Sequence, residues 1–212
     1  VLEKALDEGK DLVLSPGLYP LESSLTVKTA NQVILGLGYA TLIAPENGSP
    51  CIRVQSRVPG VRIAGIMLEA ALKGKTNGNA SLLEWGDPNV NDPGDASNPG
   101  VLSDVFARVG GVYRDVSTDV MIQLHSGNIY GDNLWLWRAD HVQLGPNEKA
   151  NFPHISPTYR QTVRGECEAK NGLVVGKGAI NVTMVGLFVE HTSEDQTIWG
   201  GDNGEVYFYQ CE

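Results

Sequence analysis

The chain is poor in the features that mark many protein classes. No apolar run approaches the roughly 18 residues that a membrane-crossing helix needs, so no membrane partner is expected. Charged residues are only 19% of the 212, and Asp plus Glu (25) outnumber Lys plus Arg (16), for a net charge of −9. With no basic cluster, nucleic acid is a poor partner. Cys51, Cys167 and Cys211 are too few and too scattered for a disulfide framework or a zinc site. They are expected as core or free thiols, with one disulfide as the alternative. The four histidines, His125, His141, His154 and His191, have no close metal-ligand spacing. There is no phosphate-binding loop, no EF-hand and no local signature of a Ser or Cys triad. No cofactor is therefore expected, and calcium held by Asp and Glu oxygens is the one metal arrangement left open.

What the chain has is Gly (25), Pro (11) and an internal repeat. Gly60–Ala70 (GVRIAGIMLEA), Asn128–Arg138 (NIYGDNLWLWR) and Asn181–His191 (NVTMVGLFVEH) share one frame, and Ser103–Val109 (SDVFARV) is a weaker copy. Gly65, Asp104, Asn133 and Gly186 are the anchors, 39, 29 and 53 residues apart. The last interval is close to twice 26, and the first includes a loop rich in Asn, Asp, Pro and Gly. Strand patterns recurring on such a period, with no helical pattern between them, indicate a stacked β-solenoid.

Leu2–Gly9 has helical spacing and a Gly stop, which fits a short helix capping the first open edge. Short strands are expected at Leu12–Leu14, Leu25–Val27, Val33–Leu35, Thr41–Ala44, Ile52–Val54 and Val61–Ile63. Lys73–Gly100 reads as a long surface insertion carrying Trp85, and Gly145–Gly165 as a second excursion. The chain is read as one domain, 1–212, of roughly seven coils. Its last residues, Tyr207–Glu212, look like an uncapped strand, so further coils or a partner are expected at that end.

Side chains alternate along a strand. Ile66 and Leu68, Val105 and Ala107, Leu134 and Leu136, Leu187 and Val189 form the aliphatic set and are assigned to the core. The other set then points outward as two columns: Met67, Phe106, Trp135, Phe188, and Glu69, Arg108, Trp137, Glu190. Stacked coils bring such columns to steps of about 4.8 Å. An outward ladder of aromatics beside charges suits a polysaccharide groove; the opposing reading is that the long loops bury it. Carboxylates cluster nearby, and glycoside hydrolysis needs two of them flanking the bond. Asp140 with Glu190 is the expected catalytic pair, with Asp132 in reserve. Trp135, Trp137 and Trp199 are expected to stack on sugars, and Arg138 and His191 to bind hydroxyls.

Two stretches carry a family resemblance. Pro16, Gly17, Tyr19, Leu21, Leu25 and Val27, followed by Leu35, Gly36, Gly38, Ala40, Thr41 and Leu42, resemble the first coils of the pectate-lyase-like right-handed β-helix superfamily. The resemblance implies an all-β, single-stranded right-handed parallel β-helix behind an N-terminal capping helix. From NPGVLSDVFARVGG to GGDNGEVYFYQCE the chain resembles secreted microbial glucanases, both the laminarinase-like exo-β-1,3-glucanases and the α-1,3-glucanase group. The adjacent aspartates expected of the α-1,3 group do not occur. The resemblance implies a secreted hydrolase of a neutral glucan. A non-catalytic carbohydrate-binding or adhesive solenoid and a polysaccharide lyase are the alternatives. Val1 is not a natural start, so the chain is read as mature or trimmed, and sequons at Asn47, Asn79 and Asn181 permit secretion from a eukaryote.

Overall fold

The computed structural model describes residues 1–71, 78–111, 113–151, 154 and 157–212. Residues 73–77 of the expected insertion, and 152–153 and 155–156 of the second excursion, lie outside them. The chain winds coil by coil. Helix α1 (Leu2–Asp7) precedes β1 (Leu12–Leu14), β2 (Leu18–Pro20) and β3 (Leu25–Val27). The second coil has β4 (Val33–Ile43) and β5 (Ile52–Val54), and the third β6 (Arg62–Glu69) and β7 (Asn79–Trp85). The fourth has β8 (Gly100–Val109) and β9 (Ser117–Leu124). The fifth opens with β10 (Ile129–Arg138), detours through β11 (His141–Gln143) and β12 (Tyr159–Gln161), and closes with β13 (Glu168–Val175). Then follow β14 (Thr183–Glu190) and β15 (Thr197–Trp199), and last β16 (Glu205–Cys211).

Two parallel ladders result. The larger runs β1–β4–β6–β8–β10–β14–β16, with β2 also on β4, and the smaller β3–β5–β7–β9–β13–β15. Parallel strands joined by successive turns of one chain close a tube of the right-handed kind that such crossovers take. The fold is a right-handed parallel β-helix, as the repeat implied. Among the described residues the first ladder has seven levels. β10 and β14 are neighbours in register, Leu134 opposite Leu187, so the interval of 53 residues is a single coil and not twice 26. The detour through β11 and β12 accounts for its length. Among the described residues no helix is long and apolar enough to cross a membrane.

The repeat anchors have a backbone meaning. Gly65, Asp104, Asn133 and Gly186 all have positive φ (65°, 51°, 55° and 69°), and Phe208 (63°) continues the column. The pairing skips each of them and resumes on the next residue, from Asp132↔Ser103 to Leu134↔Val105. One left-handed residue therefore redirects β6, β8, β10, β14 and β16 at the same point, whereas in β4 the register shifts between Leu35 and Ala40 around the left-handed Gly38 and Tyr39. Gly, Asn and Asp suit this conformation best. Asn133 Nδ2 also donates to Asp104 Oδ1 across one level, at 2.6 Å. After the anchors, the eight assigned aliphatics from Ile66 to Val189 are all buried, each worth very roughly 1–3 kcal/mol of stability. Leu6 of α1 joins the same core, and Gln32 Nε2 ties the helix down by donating to Leu6 O and Lys10 O.

The segment 79–85 is not loop, as expected from its Asn- and Gly-rich flanks, but strand β7, with Leu83 opposite Ile52 and Ile122. Its Trp85 fills the tube, 2% exposed, where Gly100 leaves it room. Asn79 is buried too, donating to Pro45 O and Ser49 O, and is unavailable as a glycan acceptor in the folded chain. All three cysteines are free thiols. Burial pushes the Cys51 and Cys167 thiols up.

The second excursion carries the β11–β12 hairpin, antiparallel with His141 opposite Gln161. An ionic staple holds it. Arg160 lies between Glu148 and Glu166, at 2.8 Å from each, and Arg114 Nη1 donates to Glu148 Oε1 at 2.7 Å. Glu148 and Glu166 also accept from the Gly145 and Val163 backbone amides. Hydrogen bonds from Arg114 and Arg160 hold the Glu148 carboxyl well below its usual range, and Arg160 does the same for Glu166.

Two outcomes follow from these constraints. A Cβ at Gly65 would lie 2.5 Å from Gly36 O, whereas one at Gly186 meets nothing closer than 3.6 Å. Gly65→Ala should then cost roughly 3 kcal/mol or more, and Gly186→Ala about 1 kcal/mol from φ alone; equal losses in denaturant unfolding would contradict this. Depressed carboxylates stabilise the folded excursion above their unfolded pKa, and the gain is lost as pH falls through the folded values. Amide exchange at Gly145 and Val163, corrected for its intrinsic pH dependence, should rise about tenfold or more once pH drops below about 4. The amide of Leu134 should not follow, and Glu148→Gln should reproduce the opening at neutral pH.

Candidate functional site

The outward columns can now be placed side chain by side chain. Thr41, Met67, Phe106, Trp135, Phe188 and Gln210 stand in register as the first column. Ile43, Glu69, Arg108, Trp137 and Glu190 form the second. Glu212 continues it, because His191 N donates to Glu212 O and Glu212 N to Val189 O (2.8 and 3.3 Å).

An aromatic stripe crosses the levels. Tyr39 stacks on Phe106 at 5.2 Å between centroids, and Phe106 meets Trp135 edge-on at 6.3 Å. Trp135 approaches Trp137 at 6.1 Å, Trp137 meets His141 at 5.7 Å, and His141 meets Tyr159 at 5.5 Å. Trp135 is 42% exposed, so the loops leave this stripe uncovered at its middle. His141 and Tyr159 come from the stapled hairpin, which therefore lengthens the stripe rather than hiding it.

On the levels that follow Trp137 in the second column lies a charged group. Glu190, His191 and Glu212 each place one polar side-chain atom within 4.8 Å of the others. His191 Nε2 is 3.7 Å from Glu212 Oε2 and 3.9 Å from Asp140 Oδ1. Asp140 Oδ1 in turn lies 2.8 Å from His141 Nδ1. Of the residues expected at the site, Asp140, Glu190, His191 and Trp137 thus come together, with Trp135 one step along. As metal ligands, the three clustered residues offer two carboxylates and an imidazole, unlike the roughly six to eight oxygens of calcium.

Three expected residues stand elsewhere. Asp132 is exposed on the far side of the left-handed Asn133, in the other arm of its strand. Arg138 is spent on the hairpin's return: its Nε donates to Cys167 O at 2.8 Å and its Nη2 to Glu166 O at 3.4 Å. Trp199 is opposite buried Val175 on the inner face of the smaller ladder, packed against the core beneath Gly204. It fills the end of the tube because strand alternation turns it inward.

Glu212, Tyr39, His141 and Tyr159 were not expected. Glu212 had a signal: Asn203–Glu212 (NGEVYFYQCE) aligns with Asn181–Glu190 (NVTMVGLFVE), which puts both glutamates at one repeat position. Phe208 at the anchor, where the other copies have Gly, Asp or Asn, concealed it. The hairpin residues had no such signal, since they lie outside the repeat.

Comparison with known proteins gives this arrangement a context. A model of the LAM55 pectate lyase-like domain matches residues 1–212. An exo-beta-1,3-glucanase of Streptomyces sp. (strain SirexAA-E / ActE) is 34% identical over 212 residues, 100% of this chain and 30% of the relative. The solved structure of sacteLam55A from Streptomyces sp. SirexAA-E superposes with a TM-score of 0.80 at 33% identity, covering 99% of this chain and 33% of that one. A glutamate-to-alanine variant of sacteLam55A in complex with glucose superposes with a TM-score of 0.79 at 34% identity, again over 99% and 33%. The chain thus spans about a third of the length of the relatives it matches. With its full length matched by the family model, the chain belongs to the LAM55 pectate lyase-like domain family.

Proposed function

We propose that this chain supplies the catalytic face of a secreted exo-β-1,3-glucanase, with Glu190 and Glu212 as its carboxylate pair. One observation carries the proposal. The two carboxylates stand on adjacent levels of one outward column, each with a ligand atom within 4.8 Å of the other, on the levels that follow Trp137 of the aromatic stripe. The exo-beta-1,3-glucanase relative supplies the substrate class. Aromatic faces suit sugar rings, and a glucan carries no charge, which agrees with the acidic chain.

Hydrolysis needs one carboxyl to give its proton to the leaving oxygen and the other to act on water or on the anomeric carbon. Glu190 is half-buried and Glu212 exposed, so both reach a sugar laid over Trp137. His191 Nε2 lies within 4 Å of both Glu212 and Asp140, so it is the side chain that links the two carboxylates in space. Asp140 is engaged by His141, and in this reading it positions the histidines rather than forming the pair with Glu190. A binding-only solenoid does not require convergent carboxyls. The two arginines a lyase could use on the groove strands both have partners, the Arg108 charge being paired with Glu69 and Arg138 donating to backbone carbonyls, which disfavours that reading.

In the whole protein, Glu190→Gln and Glu212→Gln should each lower kcat on a β-1,3-glucan by at least about a thousandfold. The melting temperature should barely change. Trp137→Ala should act mainly through KM, raising it by about tenfold. Reducing-end release measures all three, and wild-type turnover in either glutamine variant would remove the pair.

A further inference from the structure

Between the carboxylates and the N-terminal coils, the second outward column contains one ion pair. Glu69 is 4% exposed although it occupies an outward position. Its Oε2 accepts from Arg108 Nη2 at 3.0 Å, and among the described residues nothing else bonds its carboxylate. A charge this buried needs its partner held in place. The guanidinium is correspondingly fixed, with its side chain still 31% exposed. One N–H contact goes to Glu69, and Arg108 Nε is buried with no hydrogen-bond partner. A guanidinium carries several N–H donors in one plane, so among the described residues most of its capacity is unused.

Position makes this capacity relevant. Arg108 is in register with Trp137, and Trp137 with Glu190. Two levels separate Arg108 from Glu190, about 10 Å at the usual strand spacing. The solvent edge of the guanidinium therefore faces the same flank as the stripe and the carboxylates, on the side toward the first coils. Beyond it, Pro20, Leu21, Ile43, Ala70 and Tyr113 line a cleft of ≈ 420 Å³ at the same corner.

We infer that Arg108, held by Glu69, is a binding residue for hydroxyls of a glucan unit remote from the bond that is cut, and that the chain lies along the tube axis toward the N-terminal coils. The inference rests on the glucanase reading of the site. Planar donors fixed in advance bind hydroxyls without ordering a long side chain first, so the contact favours longer substrates.

The test uses the whole protein and β-1,3-linked glucose oligomers from the disaccharide to the hexasaccharide. Arg108→Lys keeps the charge beside Glu69 but loses the planar fork. The double variant Glu69→Leu with Arg108→Met removes the pair and leaves no lone buried charge. Both should raise KM for the hexasaccharide by about tenfold, and for the disaccharide by less than about twofold. A rise equal at all lengths, or lowered melting with KM unmoved, would make the pair structural only and overturn the inference. Turnover by the unaltered protein separates the two levels: an active parent with length-independent variants defeats only the role of Arg108, whereas an inactive parent defeats the glucanase reading as well.

Discussion

The left-handed residue stacked in the middle of β6, β8, β10, β14 and β16 is the constraint on which this molecule depends. Parallel ladders fix coil-to-coil spacing, but they do not say where a coil must bend. The column Gly65, Asp104, Asn133, Gly186 and Phe208 does, because each residue leaves the pairing at the same place. If the bend slipped by one residue at a single level, alternation would invert beyond it, and aliphatics such as Leu134 and Leu136 would exchange places with Trp135 and Trp137. The tight contact of Gly36 with Gly65, and the Asn133–Asp104 bond, make such slips costly.

The site inherits its order from that bend. No two of Trp137, Glu190 and Glu212 are neighbours in sequence, yet they are consecutive in one column. Their distances are set by strand spacing rather than by loops, which gives a rigid row of groups along the tube. The solenoid thus offers a long substrate one side chain per level. The chemistry of the column changes from level to level, from the Glu69–Arg108 ion pair through the Trp137 ring to the two carboxylates.

The hairpin at 141–161 adds what the repeat does not provide. Its Arg160–Glu148–Glu166 staple closes it, Arg114 ties it to the tube through Glu148, and it presents His141 against Trp137 with Tyr159 behind His141. Arg138 belongs to this attachment through Cys167 O and Glu166 O, so a residue adjacent to the aromatic column serves the wall and not the groove. Salt-bridge networks of this partly exposed kind are individually weak and gain from being joined.

Much of the fold was legible in the residues themselves. Alternation separated Leu134 and Leu136 from Trp135 and Trp137, and Gly, Asp and Asn marked the bends, because both signals are local and repeat with the coil. Glu190, His191 and Asp140 were legible as polar residues ending outward strands. Loop composition around Asn79 hid a strand, since turn-rich flanks say nothing of the short buried run Leu82–Trp85. The repeat determined which face each side chain takes; the tertiary structure alone decided what lies across from it. Glu69 acquired Arg108, Arg138 acquired carbonyls, Trp199 turned into the tube end, and Glu190 acquired Glu212, because contacts between coils depend on stacking and on the packed excursion, neither of which any single stretch of sequence encodes.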